Sequence, residues 1–135
     1  MNGSNLSQTG ILIDTNIVSA HFKGDPAVTR KLQTSSPIYL PAVVLGELHF
    51  GALRSSNPTL NQQRIERFTA AVEVLVTDSA TAWFYGQIKA ELAAAGTMIP
   101  DNDLWIAAVA KQYDVTLISR DHHFGQVLGL KWTIW

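Results

Sequence analysis

Ile11-Leu12-Ile13-Asp14-Thr15-Asn16 is the stretch on which the fold turns. Three apolar residues end on an acid and two more residues suited to helix caps, and Ile17, Val18 and Ala20 follow. The pattern reads as a short buried strand that runs straight into a helix. An acid at that junction stands at the carboxyl end of a strand, which is where open α/β sheets collect their ligands.

The alternation repeats outward from this point. Asp25-Pro26 restarts a helix to about 35, by the rule that places a cap before a proline. Residues 37–40 read as a second strand, 41–54 as a helix opened by Pro41, 58–72 as a helix opened by Asn57-Pro58, and 73–76 as a third strand. Ser79 is expected to cap a long helix through Ala95 that Gly96 ends. After a loop, Asp101 or Asn102 is expected to cap a helix to about Tyr113, with Leu104, Ala107, Ala108 and Lys111 at helical spacing. Residues 115–118 form a fourth, β-branched strand, and 131–135 a candidate fifth. Strands alternating with helices predict an α/β sandwich with a mainly parallel central sheet. The expected organisation is one domain over 1–135, with 1–9 as a flexible N-terminal extension.

Four carboxylates lie within or at the ends of these apolar segments: Asp14, Glu47 in Val44-Leu45-Gly46-Glu47-Leu48, Asp103 in Asp103-Leu104-Trp105-Ile106, and Asp121 after Leu117-Ile118-Ser119-Arg120. An acid in apolar surroundings carries a desolvation penalty that a cation or strong hydrogen bonds must offset. Three of the four have no lysine or arginine beside them in sequence. A divalent ion is the natural partner, because Mg²⁺ and Mn²⁺ take carboxylate oxygens and keep waters that a phosphate can displace.

Each acid also has a plainer reading. Asp14 can simply cap its helix; as a ligand it would leave capping to Thr15 or Asn16, and Asn16 could then orient the site as a supporting donor. Glu47, with Val43, Val44, Phe50 and Gly51 three and four residues away, can pair with Arg54. Asp103 gains from the helix dipole, and Asp101 competes with it as cap or auxiliary ligand. Asp121 can cap the turn that holds His122-His123-Phe124, and those histidines read as solvated, since neighbouring residues rarely aim both rings at one metal.

Composition narrows the class. Of 135 residues 47% are hydrophobic, enough for an ordinary core, and the absence of cysteine removes disulfide, thiolate and Cys-zinc chemistry. The first ten residues lack a secretory pattern, and no run nears the roughly 18 apolar residues of a membrane span. A cytoplasmic protein without a membrane partner is expected. Net charge is −1, yet setting four of the eleven acids aside leaves seven against ten basic residues, a balance that permits a polyanionic substrate. No Gly-rich phosphate loop and no Gly-x-Ser-x-Gly turn is present. Asn at position 16, where an aspartyl phosphatase would carry a second acid, counts against Asp14 as a covalent nucleophile.

With Ile13-Asp14-Thr15-Asn16, Val44-Leu45-Gly46-Glu47-Leu48, Ile99-Pro100-Asp101-Asn102-Asp103-Leu104-Trp105-Ile106-Ala107-Ala108 and Leu117-Ile118-Ser119-Arg120-Asp121-His122-His123-Phe124 in this order, the chain from Ile11 onward resembles the PIN-domain ribonucleases. More narrowly it is similar to the VapC toxins of bacterial toxin–antitoxin pairs. The resemblance implies a PIN-like three-layer sandwich, Mg²⁺ or Mn²⁺ dependence and RNA endonuclease activity. It implies metal-ligand and catalytic roles for Asp14, Glu47, Asp103 and Asp121, with Asn16 and Ser119 in support. It further implies a structured RNA substrate such as tRNA or rRNA, a homodimer, and neutralisation by a cognate VapB-like antitoxin in a hetero-oligomer. Phe50, Leu53, Trp83, Phe84 and Leu92 are the large apolar residues available for such a dimer. The competing class is a PIN-fold nucleic-acid-binding regulatory module with weak or no catalysis. Ser119 stands where the family more often has Thr, which keeps the hydroxyl, and Asp101 adds an acid where the family often has a small residue.

Overall fold

A computed structural model describes residues 9–135, so residues 1–8 of the expected N-terminal extension lie outside the described residues. The elements run β1 (Ile11–Ile13), α1 (Thr15–Phe22), α2 (Pro26–Thr34), β2 (Ile38–Pro41), α3 (Ala42–Leu53), α4 (Pro58–Ala70), β3 (Glu73–Leu75), α5 (Ser79–Ala94), α6 (Asp101–Tyr113), β4 (Thr116–Ile118), a 3₁₀ turn (His122–Gln126) and β5 (Trp132–Thr133). The five strands form one sheet in the order β3-β2-β1-β4-β5, and every neighbouring pair is parallel. The sheet is therefore wholly parallel. Such strands need both faces covered, which is why they read as continuous apolar runs and why helices flank them. Leu12, Ile13, Leu40 and Leu117 are all completely buried.

The strand order places the site. From central β1 the chain steps outward to β2 and β3, then returns through α5 and α6 to β4 on the other side of β1. The direction of winding changes between β1 and β4, and crevices open beyond the carboxyl ends of strands at such a point. Register is tight there: Ile13 pairs with Ile118, and the Asp14 amide donates to the Ile118 carbonyl at 3.0 Å. Asp14 and Ser119 consequently leave adjacent strands side by side. Gly10, just before β1, has a close-approach role, since a Cβ there would stand 2.6 Å from the buried Tyr39 ring.

Several ends differ from the sequence reading. Asp78, not Ser79, caps α5: its carboxylate accepts the Thr81 amide while the Thr81 hydroxyl accepts the Asp78 amide. The reciprocal pair satisfies two end donors where Ser79 would satisfy one. Neither Asp101 nor Asn102 caps α6; Pro100 holds that position without a side-chain bond, and Asp101 is the first helical residue. β5 is two residues rather than five. Leu92 is buried and Phe84 half-buried against the core, whereas Phe50, Leu53 and Trp83 are 59%, 65% and 61% exposed. Only the last three remain available to a partner. Among the described residues no helix is long and apolar enough to cross a membrane.

Candidate functional site

Asp14, Glu47, Asp103 and Asp121 come from four segments and line one cavity of about 500 Å³ beyond the ends of β1 and β4. Asp14 is the N-cap of α1, and its two oxygens divide the work. Oδ1 accepts the Thr15 amide at 2.7 Å, while Oδ2 accepts the Ser119 hydroxyl at 2.7 Å and the Asn16 amide at 3.4 Å. Capping thus explains one oxygen and leaves the other held toward β4. Asn16 and Ser119, expected as supporting residues, are part of one clamp. Ser119 Oγ also accepts from Asn16 Nδ2 and from the Asp121 amide, and Asn16 Oδ1 accepts the Arg120 amide. Two hydrogen-bonded side chains thereby lock the β1 and β4 ends in one geometry.

Glu47 projects from α3. Its carboxylate accepts the Thr15 hydroxyl and the Asn102 amide, both at 2.8 Å. Pairing with Arg54 is overturned: that guanidinium lies over the Phe50 ring, 5.0 Å from its centroid. The reason is helical geometry, because a residue seven along from Glu47 lies two turns away. Asp103, in the first turn of α6, is only 5% exposed. Arg120, the one lysine or arginine next in sequence to any of the four acids, also borders the cavity, but its guanidinium is paired with Asp25 at 3.0 Å. Among the described residues no lysine or arginine forms an ion pair with any of the four.

The histidine reading needs correction in part. His122 stands edge-on to Trp132 and takes no part in the site, but His123 is not simply solvated. Its Nδ1 lies 3.0 Å from Asp103 Oδ2 and 3.0 Å from Asp121 Oδ1. Asp121 caps the 3₁₀ turn by accepting the His123 amide at 2.9 Å, and that turn swings the imidazole back over α6. A ring two residues after a strand-end acid was the available signal, and only folding reveals which of two neighbouring rings points inward. Thr15 and Asn102 were missed for a similar reason: their partner Glu47 is 32 and 55 residues away.

Electrostatics marks the cluster as short of positive charge. Burial pushes the Asp103 carboxyl up to about 6; the His123 contact pulls the other way, and the charges of Asp121 and Asp14 add to the rise. Burial also raises Asp14, opposed by the Ser119 and Thr15 hydrogen bonds and reinforced by Glu47 and Asp121. His123 is raised chiefly by its bond to Asp103. Ligand atoms of Asp103, Asp121 and His123 all lie within 4.8 Å of one another, a spacing and donor set that fits a divalent ion. Asp14 and Glu47 face the same cavity without joining that trio.

Asp101 does not line the cavity. It is exposed, accepts the Tyr85 hydroxyl and lies 3.9 Å from Lys89. Asp101→Ala is therefore expected to change stability in urea by no more than about 1 kcal/mol, the scale of exposed pairs. Cleavage should stay within about tenfold of the parent, or about 1.4 kcal/mol of barrier. Near-total loss of cleavage would move Asp101 into the site.

The comparisons agree with this geometry. The family profile described as PIN domain matches residues 11–129. The chain is 32% identical to "Ribonuclease VapC2" of Haemophilus influenzae over 92% of its own length and 96% of the relative's. It is 33% identical, over the same shares, to "tRNA(fMet)-specific endonuclease VapC" of Shigella flexneri. Among solved structures, the DNA-bound VapBC of Salmonella typhimurium superposes with a TM-score of 0.88 at 29% identity, covering 93% of this chain and 98% of that one. The VapBC2 complex of Rickettsia felis on a promoter fragment gives 0.86 at 25% identity, with the same coverage. A PIN domain of this kind accounts for the parallel sheet, its switch point and the acids gathered there: the chain belongs to the PIN-domain family and, within it, to the VapC ribonucleases.

Proposed function

We propose that this protein is a metal-dependent RNA endonuclease toxin that hydrolyses a phosphodiester bond in a structured RNA such as tRNA or rRNA, with Mg²⁺ or Mn²⁺ as cofactor. The observation that carries the reading is the convergence of Asp14, Glu47, Asp103 and Asp121 on one cavity with no basic ion-pair partner among the described residues. All four are proposed as metal ligands, and His123 as a residue that steers Asp103 and Asp121. Such an ion supplies an acidified water for in-line attack and positive charge for the leaving oxygen.

The chain's own residues set the geometry. Asn16 and Ser119 hold Asp14 Oδ2 in one orientation, and Thr15 and Asn102 do the same for Glu47, the kind of outer contact that fixes ligand direction. Burial of Asp14 and Asp103 keeps bulk water from screening their charges. Lys23 on the cavity rim offers an ammonium to an incoming phosphate.

The tRNA(fMet) specificity named for the Shigella flexneri relative supports a tRNA substrate. The VapBC complexes of Salmonella typhimurium and Rickettsia felis support a cognate antitoxin and a hetero-oligomer in this case too. Exposed Phe50, Leu53 and Trp83 are the surface proposed for the homodimer. An RNA substrate and a cysteine-free chain fit a cytoplasmic site of action. Sequencing of RNA ends after brief induction tests the reading. New ends confined to one position of one RNA class, absent with Asp14→Asn, are expected. Identical end profiles for parent and variant would refute it and favour a regulatory binding module.

A further inference from the structure

Beside the acidic cavity lies a second one of about 380 Å³, between α1, α3 and α4. The two adjoin, because Thr15, Ser19, Lys23 and Glu47 border both. Their chemistry differs. The second cavity has an apolar floor of Leu48, Ala52 and Ile65 and a cationic wall of Lys23 and Arg64. Neither cation has an ion-pair partner among the described residues. Arg64 instead lies over the Phe22 ring, 5.6 Å from its centroid. Phe22 in turn packs edge-on against Phe68, with 5.7 Å between ring centroids. Beyond Arg64 a further groove of about 430 Å³ continues past Arg67.

We propose that this cavity is a nucleotide subsite: it receives the RNA residue adjoining the scissile phosphate, with the base on the apolar floor and a flanking phosphate facing Lys23 and Arg64. The inference rests on the ribonuclease reading and extends it. A strand with one phosphodiester among the acids has to leave through an adjoining opening, and this is an opening with unpaired cations. A cavity at the small end of ligand-site sizes suits one nucleotide. Aromatic or apolar surface beside a guanidinium is the usual platform for single-stranded nucleic acid, tolerant of base identity. The cations point the same way, because phosphate contacts supply affinity and set register along the strand.

Gly51 provides the test. It is an exposed residue of α3 that borders the cavity, and a Cβ there would meet nothing within 4 Å. Gly51→Leu therefore adds bulk at the cavity wall with no clash at Cβ and replaces a poor helix former with a good one. Binding is read by fluorescence anisotropy of labelled bacterial tRNA and of a labelled ten-nucleotide mixed-sequence oligoribonucleotide, in an Asp14→Asn background that leaves the RNA intact. Relative to that parent, Gly51→Leu, Lys23→Ala and Arg64→Ala should each weaken binding about tenfold. The two cation variants should also lower the slope of log affinity against log salt by about one unit or slightly less. Lys131→Ala, whose ammonium pairs with Asp114 away from both cavities, should bind as the parent does. Thermal melts check that each variant is folded. A parent that binds RNA, with Gly51→Leu and Arg64→Ala binding equally well at the same salt slope, overturns the subsite. Gly51→Leu that still binds RNA but escapes antitoxin neutralisation assigns the cavity to the antitoxin and overturns it as well. A parent that binds neither RNA refutes the ribonuclease reading itself.

Discussion

Asp103→Asn is expected to abolish RNA cleavage while leaving the fold intact. Asparagine keeps the volume and an oxygen acceptor toward His123 but removes the charge that an ion would need. Loss of at least a hundredfold in rate corresponds to about 2.7 kcal/mol of barrier. Stability should move the opposite way. At neutral pH the buried Asp103 carboxylate is ionised against its own desolvation and against the charges of Asp121 and Asp14. Neutralising it relieves that strain, so the melting temperature of the metal-free protein holds or rises. Asp14→Asn should lose activity to the same degree, with less thermal benefit, because Oδ2 of Asp14 accepts from both Ser119 and Asn16. Cleavage assays with Mn²⁺, run beside melts of the same samples, provide the check. Parental rates in both variants would end the metal-site assignment; loss of activity with loss of the folded transition would mean only that the charge is structural.

Thermal stability should depend on pH and metal together, and in opposite senses. In the folded chain Asp103 holds its proton up to about pH 6, well above its ordinary value of 3.8, and Asp14 is raised too. A folded state that binds protons more tightly is favoured at low pH and loses that advantage as pH rises through the folded value. His123, raised above 6.5, extends the loss toward neutrality. Asp25 and Asp78 are lowered by hydrogen bonds, to the Val28 amide and the Thr81 amide first, so their contribution disappears as pH falls below the ordinary carboxylate range. Metal-free protein should therefore melt highest near about pH 4, lose stability as pH rises to about 6, and be lowest at pH 7.5.

Mn²⁺ reverses the neutral-pH deficit, because ion and protons compete for the same oxygens. At a hundredfold excess over Kd the gain is about 2.7 kcal/mol, on the order of 10 °C for a domain of this size. At pH 5 the gain should largely vanish. Glu47→Gln should show a reduced gain at pH 7.5. Equal shifts at both pH values, or no shift in the parent, would remove the metal from the site; a full shift in Glu47→Gln would leave Glu47 as a structural residue.

Much of the frame was legible along the chain because it depends on short-range chemistry. Ile11 to Ile13 read as a buried strand since only a parallel sheet covered on both faces tolerates so unbroken an apolar run before an acid. Asp25-Pro26 read as a helix start and is one, its carboxylate accepting the Ala27 and Val28 amides. The four acids were legible for the same reason, as charges in segments too apolar to leave them unpartnered.

The linear pattern was least reliable between near neighbours: it named Ser79 as the cap and read both histidines as solvated, and it preferred Asp103 to Asp101 without a geometric reason. Asp78 against Ser79 turned on a reciprocal bond to Thr81, and His123 against His122 on the direction of a 3₁₀ turn. Asp103 against Asp101 turned on which residue of the first turn of α6 lines the cavity with Asp14 and Asp121 and which meets Tyr85 and Lys89. By itself the sequence determined that an all-apolar strand would end in an acid, and that helices would follow in turn. Only the tertiary structure decided which acid oxygens share a cavity, because Asp14 and Ser119 are 105 residues apart and meet solely through the register of β1 on β4. Periodicity says which face is buried; it takes the assembled sheet to say what that face is buried against.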